Sequence, residues 1–318
     1  MSFTDRKILK RFVKEKPLKS IQEFLTVKII TMPIQPIIAI LFPGDMGTQI
    51  AKALIKNNYK VITAGNGRSA RTLENIKSIG IEDVGSLQNI VEQADIILSL
   101  TSPEGSLEIA ENTISCLENT DNRPVFIDLN SNTPEVALNL EKLFSAKNIK
   151  FVNGAVMGAS KDIPDHATLI VSGTYRNIFL DVFSTVFKIK DAGEKTEAAS
   201  AYKLLFSMVN KGMNALFFET MTAAAHFGIL DELNDSLQEF LPGTYKDLMK
   251  TTPTYPQHIF RRIDEMKGLT QMLKSENLPG IIASGTAETF ERVYESGIFK
   301  NENFEGVIDT LQSFKKLA

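Results

Sequence analysis

The 318-residue chain has no tryptophan and a single cysteine, Cys116. One thiol cannot close an internal disulfide, so packing alone must hold the fold, and the composition fits a reducing compartment, with the cytoplasm as the expected location. Histidine is scarce too: His166, His226 and His258 are scattered without metal-ligand spacing, and no metal is expected. Neither sign of charge dominates, since 35 Lys and Arg face 38 Asp and Glu for a net −3; the global basic excess that favours nucleic acid is missing. No apolar run reaches the roughly 20 residues of a membrane span, so a soluble chain with no membrane partner is expected. Repeats and low-complexity tracts are absent as well.

Charge is nevertheless uneven. Residues 1–31 hold eight Lys or Arg against three acids, a formal +5, which leaves −8 for the remainder. Ile8, Leu9, Phe12 and Val13 could form a short amphipathic face, but Asp5, Glu15 and Glu23 and the lysine-heavy composition argue against a mitochondrial presequence and for a solvated arm. Met32 stands just before the first strand, so translation from there would lose nothing of the fold that follows.

That fold begins with the apolar run 37–41, a strand buried on both faces. It runs into Phe42-Pro43-Gly44-Asp45-Met46-Gly47 and then a helical spacing at Ile50, Leu54 and Ile55. Strand, glycine turn and helix open a βαβ unit whose helix N-terminus suits a phosphate. Gly44 would let backbone approach a pyrophosphate, and Gly47 would let the helix pack on the strand. Phe42 occupies the first glycine position of the dinucleotide fingerprint, so a purely structural turn stays open as the alternative.

A second strand, 59–64, ends about 20 residues beyond the turn, where the ribose of a dinucleotide would lie. The residues there are Gly65-Asn66-Gly67-Arg68-Ser69-Ala70-Arg71. With no Asp or Glu for a 2′-hydroxyl, Arg68, aided by Asn66, Ser69 and Arg71, predicts NADP(H) over NAD(H). Further strands are expected at 95–100, 125–128, 149–152, 169–172 and 186–189. Thr101, Ser102 and Pro103 follow the first of these as a loop bordering the nicotinamide ribose, and Asn130 and Ser131 follow the second as ligand candidates. Thr133 caps a helix with Pro134 at its first position. The small residues of 153–160 serve either close backbone approach or anion binding.

From about Lys195 to Phe227 the pattern is one long, mostly apolar helix. Lys203, Ser207, Asn210, Lys211 and Asn214 recur on it at intervals of three or four and form one polar stripe, either a solvent face or the wall of a site. A lysine in a partly desolvated cleft can exchange a proton with a reacting hydroxyl or carbonyl. Helices over 229–241, 245–248, 257–275 and 281–296 follow; Glu265 and Lys267 are in reach of the cleft but are read as exposed charges.

Taken in order, the glycine turn, Arg68-Ser69, Asp128-x-Asn130-Ser131-x-x-Pro134, the 151–158 segment and Lys203 resemble the β-hydroxyacid dehydrogenase and 6-phosphogluconate dehydrogenase superfamily. The branch with a Pro-Gly-acid-Met-Gly turn, Lys211-Gly212 and Glu265-Met266 is the most similar, and Phe42 fits it. The resemblance implies an α/β Rossmann domain at 34–193, after the extension 1–33, and an all-helical substrate and dimerisation domain at 194–318. It implies Lys203 as proton donor or acceptor beside Ser207, Asn210 and Lys211, with substrate at Gly154, Met157 and Gly158. Ser207 replaces the superfamily's asparagine, and Met157 and Ala159 alter its substrate segment. The chain is too short for the helical domain of a true 6-phosphogluconate dehydrogenase, which excludes that substrate. The expectation is an NADP(H)-dependent oxidoreductase acting on a small hydroxy acid, carbonyl or imine, in a homodimer; the alternative is an NADP(H)-binding sensor or partner-binding protein without turnover.

Overall fold

The computed structural model describes residues 35–101, 105–297, 299 and 314; Ser102, Pro103 and the basic arm with Met32 lie outside the described residues. Among those described, one eight-stranded sheet runs in the order β3-β2-β1-β4-β5-β6-β7-β8. Its strands are β1 (Ile38–Leu41), β2 (Val61–Thr63), β3 (Glu82–Asp83), β4 (Ile96–Ser99), β5 (Val125–Asp128), β6 (Phe151–Met157), β7 (Thr168–Ser172) and β8 (Lys188–Asp191). All neighbours pair in parallel except β6 and β7. The strand order reverses between β1 and β4, which opens a crevice at their carboxyl ends, the usual ligand position in such sheets.

Strand alternation divides the core between the two faces. Ile38 and Ile40 pack with Ile50 and Leu54 of α1 (Asp45–Lys56), Ile76 of α2 (Ala70–Ile79) and Phe179 and Phe183 beyond β7. Ala39 and Leu41 face the opposite layer: Ile90 of α3 (Leu87–Gln93), Ile109 of α4 (Ser106–Leu117) and Leu140 and Phe144 of α5 (Pro134–Ser145). Each fully buried aliphatic side chain contributes about 1.5–3 kcal/mol of transfer free energy, and stacked Phe126 and Phe144, 4.2 Å between centroids, add to the second layer.

Two expected strands need correction and one strand is added. Strand β3 carries no apolar signal in the sequence, because both of its residues are exposed acids. Strand β6 runs on through the small residues to Met157, since antiparallel pairing with β7 supplies ladder partners from Asn153 to Met157. Strand β8 sits two residues later than expected and is mostly exposed at the sheet edge.

After α6 (Arg176–Phe183) and β8 the chain is helical. The 30-residue α7 (Ala198–Phe227) ends at Gly228, whose left-handed φ of 72° lets its N–H close on Ala225. Helices α8 (Leu230–Phe240), α9 (Pro242–Thr251), α10 (Tyr255–Ser275) and α11 (Ile281–Glu295) follow. They build a separate core around Phe218, Tyr255, Met266 and Phe290. None of the described helices is long and apolar enough to cross a membrane. The start of α7 is fastened to the sheet: Asn153 Nδ2 donates to Thr196 O at 2.8 Å and to Ser200 Oγ at 3.0 Å, and Ser172 Oγ donates to Thr196 O at 2.7 Å.

Candidate functional site

At the glycine turn, a Cβ on Gly47 would stand 3.2 Å from both Ile40 Cγ2 and Phe42 O, so this glycine serves helix-to-strand packing. A Cβ on Gly44 would meet nothing within 4 Å. Its space is open at the N-terminus of α1, where no side chain caps the helix, as an anion cradle requires. Phe42, at the first glycine position of the fingerprint, has a left-handed backbone, with φ 60°, a conformation that costs a non-glycine residue about 1–3 kcal/mol.

A cavity of about 690 Å3 opens beside the turn, lined by Phe42, Ala64, Asn66, Arg68, Ser86 and Thr101 among others. The Arg68 guanidinium lies over the Phe42 ring at 3.8 Å, and its buried Nε has no hydrogen-bond partner. These features fit the adenosine end of a nicotinamide dinucleotide. The other residues of this loop are engaged differently. Ser69 caps α2 by accepting from Thr72 N at 3.3 Å, while Arg71 pairs with Asp45 at 2.8 Å on the exposed rim. Asp83 of β3 accepts from the N–H groups of Gly65 and Gly85 at 2.8 and 2.9 Å.

The loop after β5 is organised around the buried Asp128. Its Oδ1 accepts from Asn130 Nδ2 at 2.5 Å, and its Oδ2 accepts from Asn132 Nδ2 at 2.9 Å. Burial pushes the carboxyl up to about 7 against the opposing pull of these bonds. Asn130 also donates to Ser99 Oγ and accepts from Thr101 N. Its amide is thus spent inside the protein, because a buried carboxyl needs donors. Ser131 lies between the two amides with φ 35°, and its Oγ accepts a hydrogen bond from Lys203 Nζ. The loop after β5 and α7 meet at that bond.

The polar stripe of α7 divides along its length. Lys203, Ser207 and Lys211, four residues apart in succession, share one face. Ser207 Oγ donates to Glu265 Oε1 at 2.6 Å, and Lys211 Nζ donates to Ser207 Oγ at 2.9 Å and to Glu265 Oε1 at 2.8 Å. Glu265 of α10 is therefore a partly buried, paired anion, which corrects its reading as an exposed charge in favour of the cleft alternative; Lys267, paired with Glu291 and 55% exposed, does fit the exposed reading. By helical pattern alone the two acids of α10 at 264 and 265 look alike, and the packing of α10 on α7 gives Glu265 its partners. Asn214 turns away to accept from Thr251 Oγ1 at 3.0 Å, and the backbone carbonyl of Asn210 accepts from Asn214 Nδ2.

Burial lowers the Lys203 pKa; the Glu265 charge opposes this, and Lys211 and Arg261 add to it. Lys211 is lowered in the same way, by burial first, against the pull of Glu265. For Glu265, burial pushes upward, but the Lys211 charge and the hydrogen bonds from Lys211 and Ser207 outweigh it and hold the carboxyl below its usual range. Arg261, one turn before Glu265, adds a further exposed cation.

In the expected substrate segment, Gly154 lies inside β6, where a Cβ would stand 2.7 Å from Leu129 Cδ2 and 3.0 Å from Ile170 O. Of the two uses left open for this glycine, the structure displays close backbone approach. Met157 ends β6 half-buried, and Gly158 turns the chain with φ 127°. The short turn that follows (Ser160–Asp162) packs beside α1.

Residues 38–189 match the family described as the NAD binding domain of 6-phosphogluconate dehydrogenase, and residues 224–293 match a domain of unknown function. An uncharacterised 28.5 kDa protein of Methanothermus fervidus is 25% identical over 253 residues, 79% of this chain and 96% of that one. A solved conserved hypothetical protein of Sinorhizobium meliloti superposes with a TM-score of 0.74 at 22% identity, over 91% of this chain and 99% of that one. The 3-hydroxyisobutyrate dehydrogenase of Mycobacterium tuberculosis, solved with L-serine, superposes with a TM-score of 0.70 at 14% identity, over 87% and 98% of the two chains, and shares the fold. Residues 38–189 are thus a dinucleotide-binding domain of the 6-phosphogluconate dehydrogenase kind, with an open glycine cradle, and the helices that continue it match over 224–293 a family with no assigned function.

Proposed function

We propose that this chain is an NADP(H)-dependent oxidoreductase that interconverts a hydroxyl with a carbonyl, or an amine with an imine, on a small substrate. The observation that carries the reading is the Lys203–Ser131 hydrogen bond. It holds a partly buried amine at the carboxyl end of β5, the same edge of the sheet at which the Gly44 cradle opens. A bound nicotinamide would supply or accept the hydride. Lys203 Nζ would donate a proton to the carbonyl oxygen or imine nitrogen during reduction and take it back during oxidation. Ser131 orients the amine, while Ser207, Lys211 and Glu265 set the charge around it; Asn210, Gly154, Met157 and Gly158 remain proposed substrate neighbours. At the cofactor end the reading rests on Pro43 to Gly47, Asn66, Arg68 and Thr101, and the unpaired guanidinium of Arg68 supports NADP(H) over NAD(H).

NADPH consumption by wild type and Lys203→Met against a panel of keto acids, aldehydes and imines tests this, with NADPH binding by fluorescence as the control. Turnover lost in the variant while binding persists supports the assignment; equal turnover in both rejects Lys203. A second reading, cofactor binding without turnover, is favoured by one observation: Ser207, at the superfamily's asparagine position, is committed to Glu265 and Lys211. Tight NADPH binding with no substrate consumed across the panel would favour that reading.

We also propose a homodimer, with residues 34–193 and 194–318 as its two domains. Leu205, Phe206, Val209 and Leu216 of α7 are 45%, 53%, 63% and 69% exposed, an apolar surface that a second copy would cover. A monomeric mass at micromolar concentration in sedimentation would reject it.

A further inference from the structure

Phe42 stands where the dinucleotide fingerprint has its first glycine, holds a left-handed backbone at φ 60° and carries Arg68 on its ring face at 3.8 Å. A glycine would meet the turn's conformation without strain, so the strained ring needs a reason. We propose that Phe42 is a specificity-determining residue for the cofactor: its ring is the platform that aims the Arg68 guanidinium at the 2′-phosphate of the adenosine ribose. This rests on the NADP(H) reading above and assigns the discrimination to a residue of the phosphate turn itself.

The electrostatics follow from the stack. A ring's negative face attracts a cation, most strongly where water is excluded, and Arg68 Nε is buried with no acceptor. With its central carbon 3.8 Å from the ring centroid the guanidinium gains nothing by turning its donors toward that ring, so they are left for an oxyanion. No salt bridge or side-chain hydrogen bond ties Arg68 to another described residue. The cavity it borders is also lined by Asn66 and Ser86, and the one acid among its lining residues, Glu108, comes from α4. A 2′-phosphate would complete the guanidinium's bonding, whereas a neutral 2′-hydroxyl would leave a partly desolvated cation unpaired. With a small side chain at position 42, Arg68 would lose its platform and sample many rotamers, and the advantage of the phosphate would shrink.

Dissociation constants for NADPH and NADH, measured on the full chain by nicotinamide fluorescence, test the proposal through their ratio. 2′,5′-ADP against 5′-AMP as competitors isolates the adenosine half. The variants are Phe42→Leu, which keeps a comparable backbone cost but lacks a ring, Phe42→Tyr, which keeps the ring, and Arg68→Met. Wild type should prefer NADPH at least about tenfold, Phe42→Leu should lose most of that preference, Phe42→Tyr should retain it and Arg68→Met should abolish it. A Phe42→Leu protein that keeps the full wild-type ratio, or that weakens both cofactors equally, overturns the role of Phe42 and leaves the NADP(H) reading standing. Wild type binding both cofactors equally overturns both.

Discussion

Lys211 Nζ on α7 lies 2.8 Å from Glu265 Oε1 on α10, with the lysine side chain 11% and the glutamate side chain 29% exposed. An ion pair held that far from water gains little over a well-packed apolar pair, but removing one partner strands the other charge. Glu265→Gln should therefore cost on the order of 1–3 kcal/mol, below the usual cost for a fully buried pair because Glu265 keeps some solvent. Lys211→Met in the same chain should recover part of the loss. Urea denaturation of the two single variants and the double measures the coupling; strictly additive effects would show that the pair is not energetically linked.

The charges around Lys203 also set a pH profile. Its pKa is lowered by burial, and reduction needs the protonated amine, so kcat/KM should fall on the alkaline side at a pH below the ordinary lysine value of about 10.4. Lys211→Met removes a facing positive charge and should move that limb to higher pH. Glu265→Gln removes the anion that favours the charged amine and should move it lower. Shifts in the same direction for both variants would contradict the assignment of Lys203.

Asp128 makes the opposite kind of contribution to stability. Its folded pKa of about 7 exceeds the unfolded value of about 3.9, so between those values the folded chain binds more protons than the unfolded one. Its contribution is thus greatest at low pH, is lost as pH rises through about 4 to 7, and is level above that. Asp128→Asn should flatten this part of the stability-versus-pH curve, read by chemical denaturation at several pH values. It should also loosen Ser131, because one of the two amides that now donate to the carboxylate would face another donor.

Two glycine substitutions should separate cradle from packing. At Gly44 the backbone φ is −70° and a Cβ meets nothing within 4 Å, so Gly44→Ala should leave thermal stability unchanged or slightly higher. The added methyl would occupy the anion cradle, and NADPH affinity should fall about tenfold or more. Gly154→Ala should do the reverse, destabilising by about 1–3 kcal/mol through its contacts with Leu129 and the Ile170 carbonyl. Calorimetry of both variants with and without cofactor checks the pair.

Much of this architecture is written in local periodicity. The run 37–41, the buried strand 96–99 and the 3.6-residue spacing of α7 place sheet and helices, because a strand buried on both faces and an amphipathic helix each leave a pattern in a dozen residues. Arg68 and Lys203 could likewise be singled out, the first by a missing carboxylate and the second by its stripe. The sequence by itself determined these elements, the cap at Thr133, and the residue types available for a nicotinamide site. Only the tertiary structure decided that Glu265 pairs with Ser207 and Lys211, that Asn130 is consumed by Asp128, that Ser131 meets Lys203, and that Phe42 lies beneath Arg68. Each of these joins side chains from different elements, 26 or more residues apart except within the 128–132 loop, and no local pattern encodes which faces of two helices or two loops will meet.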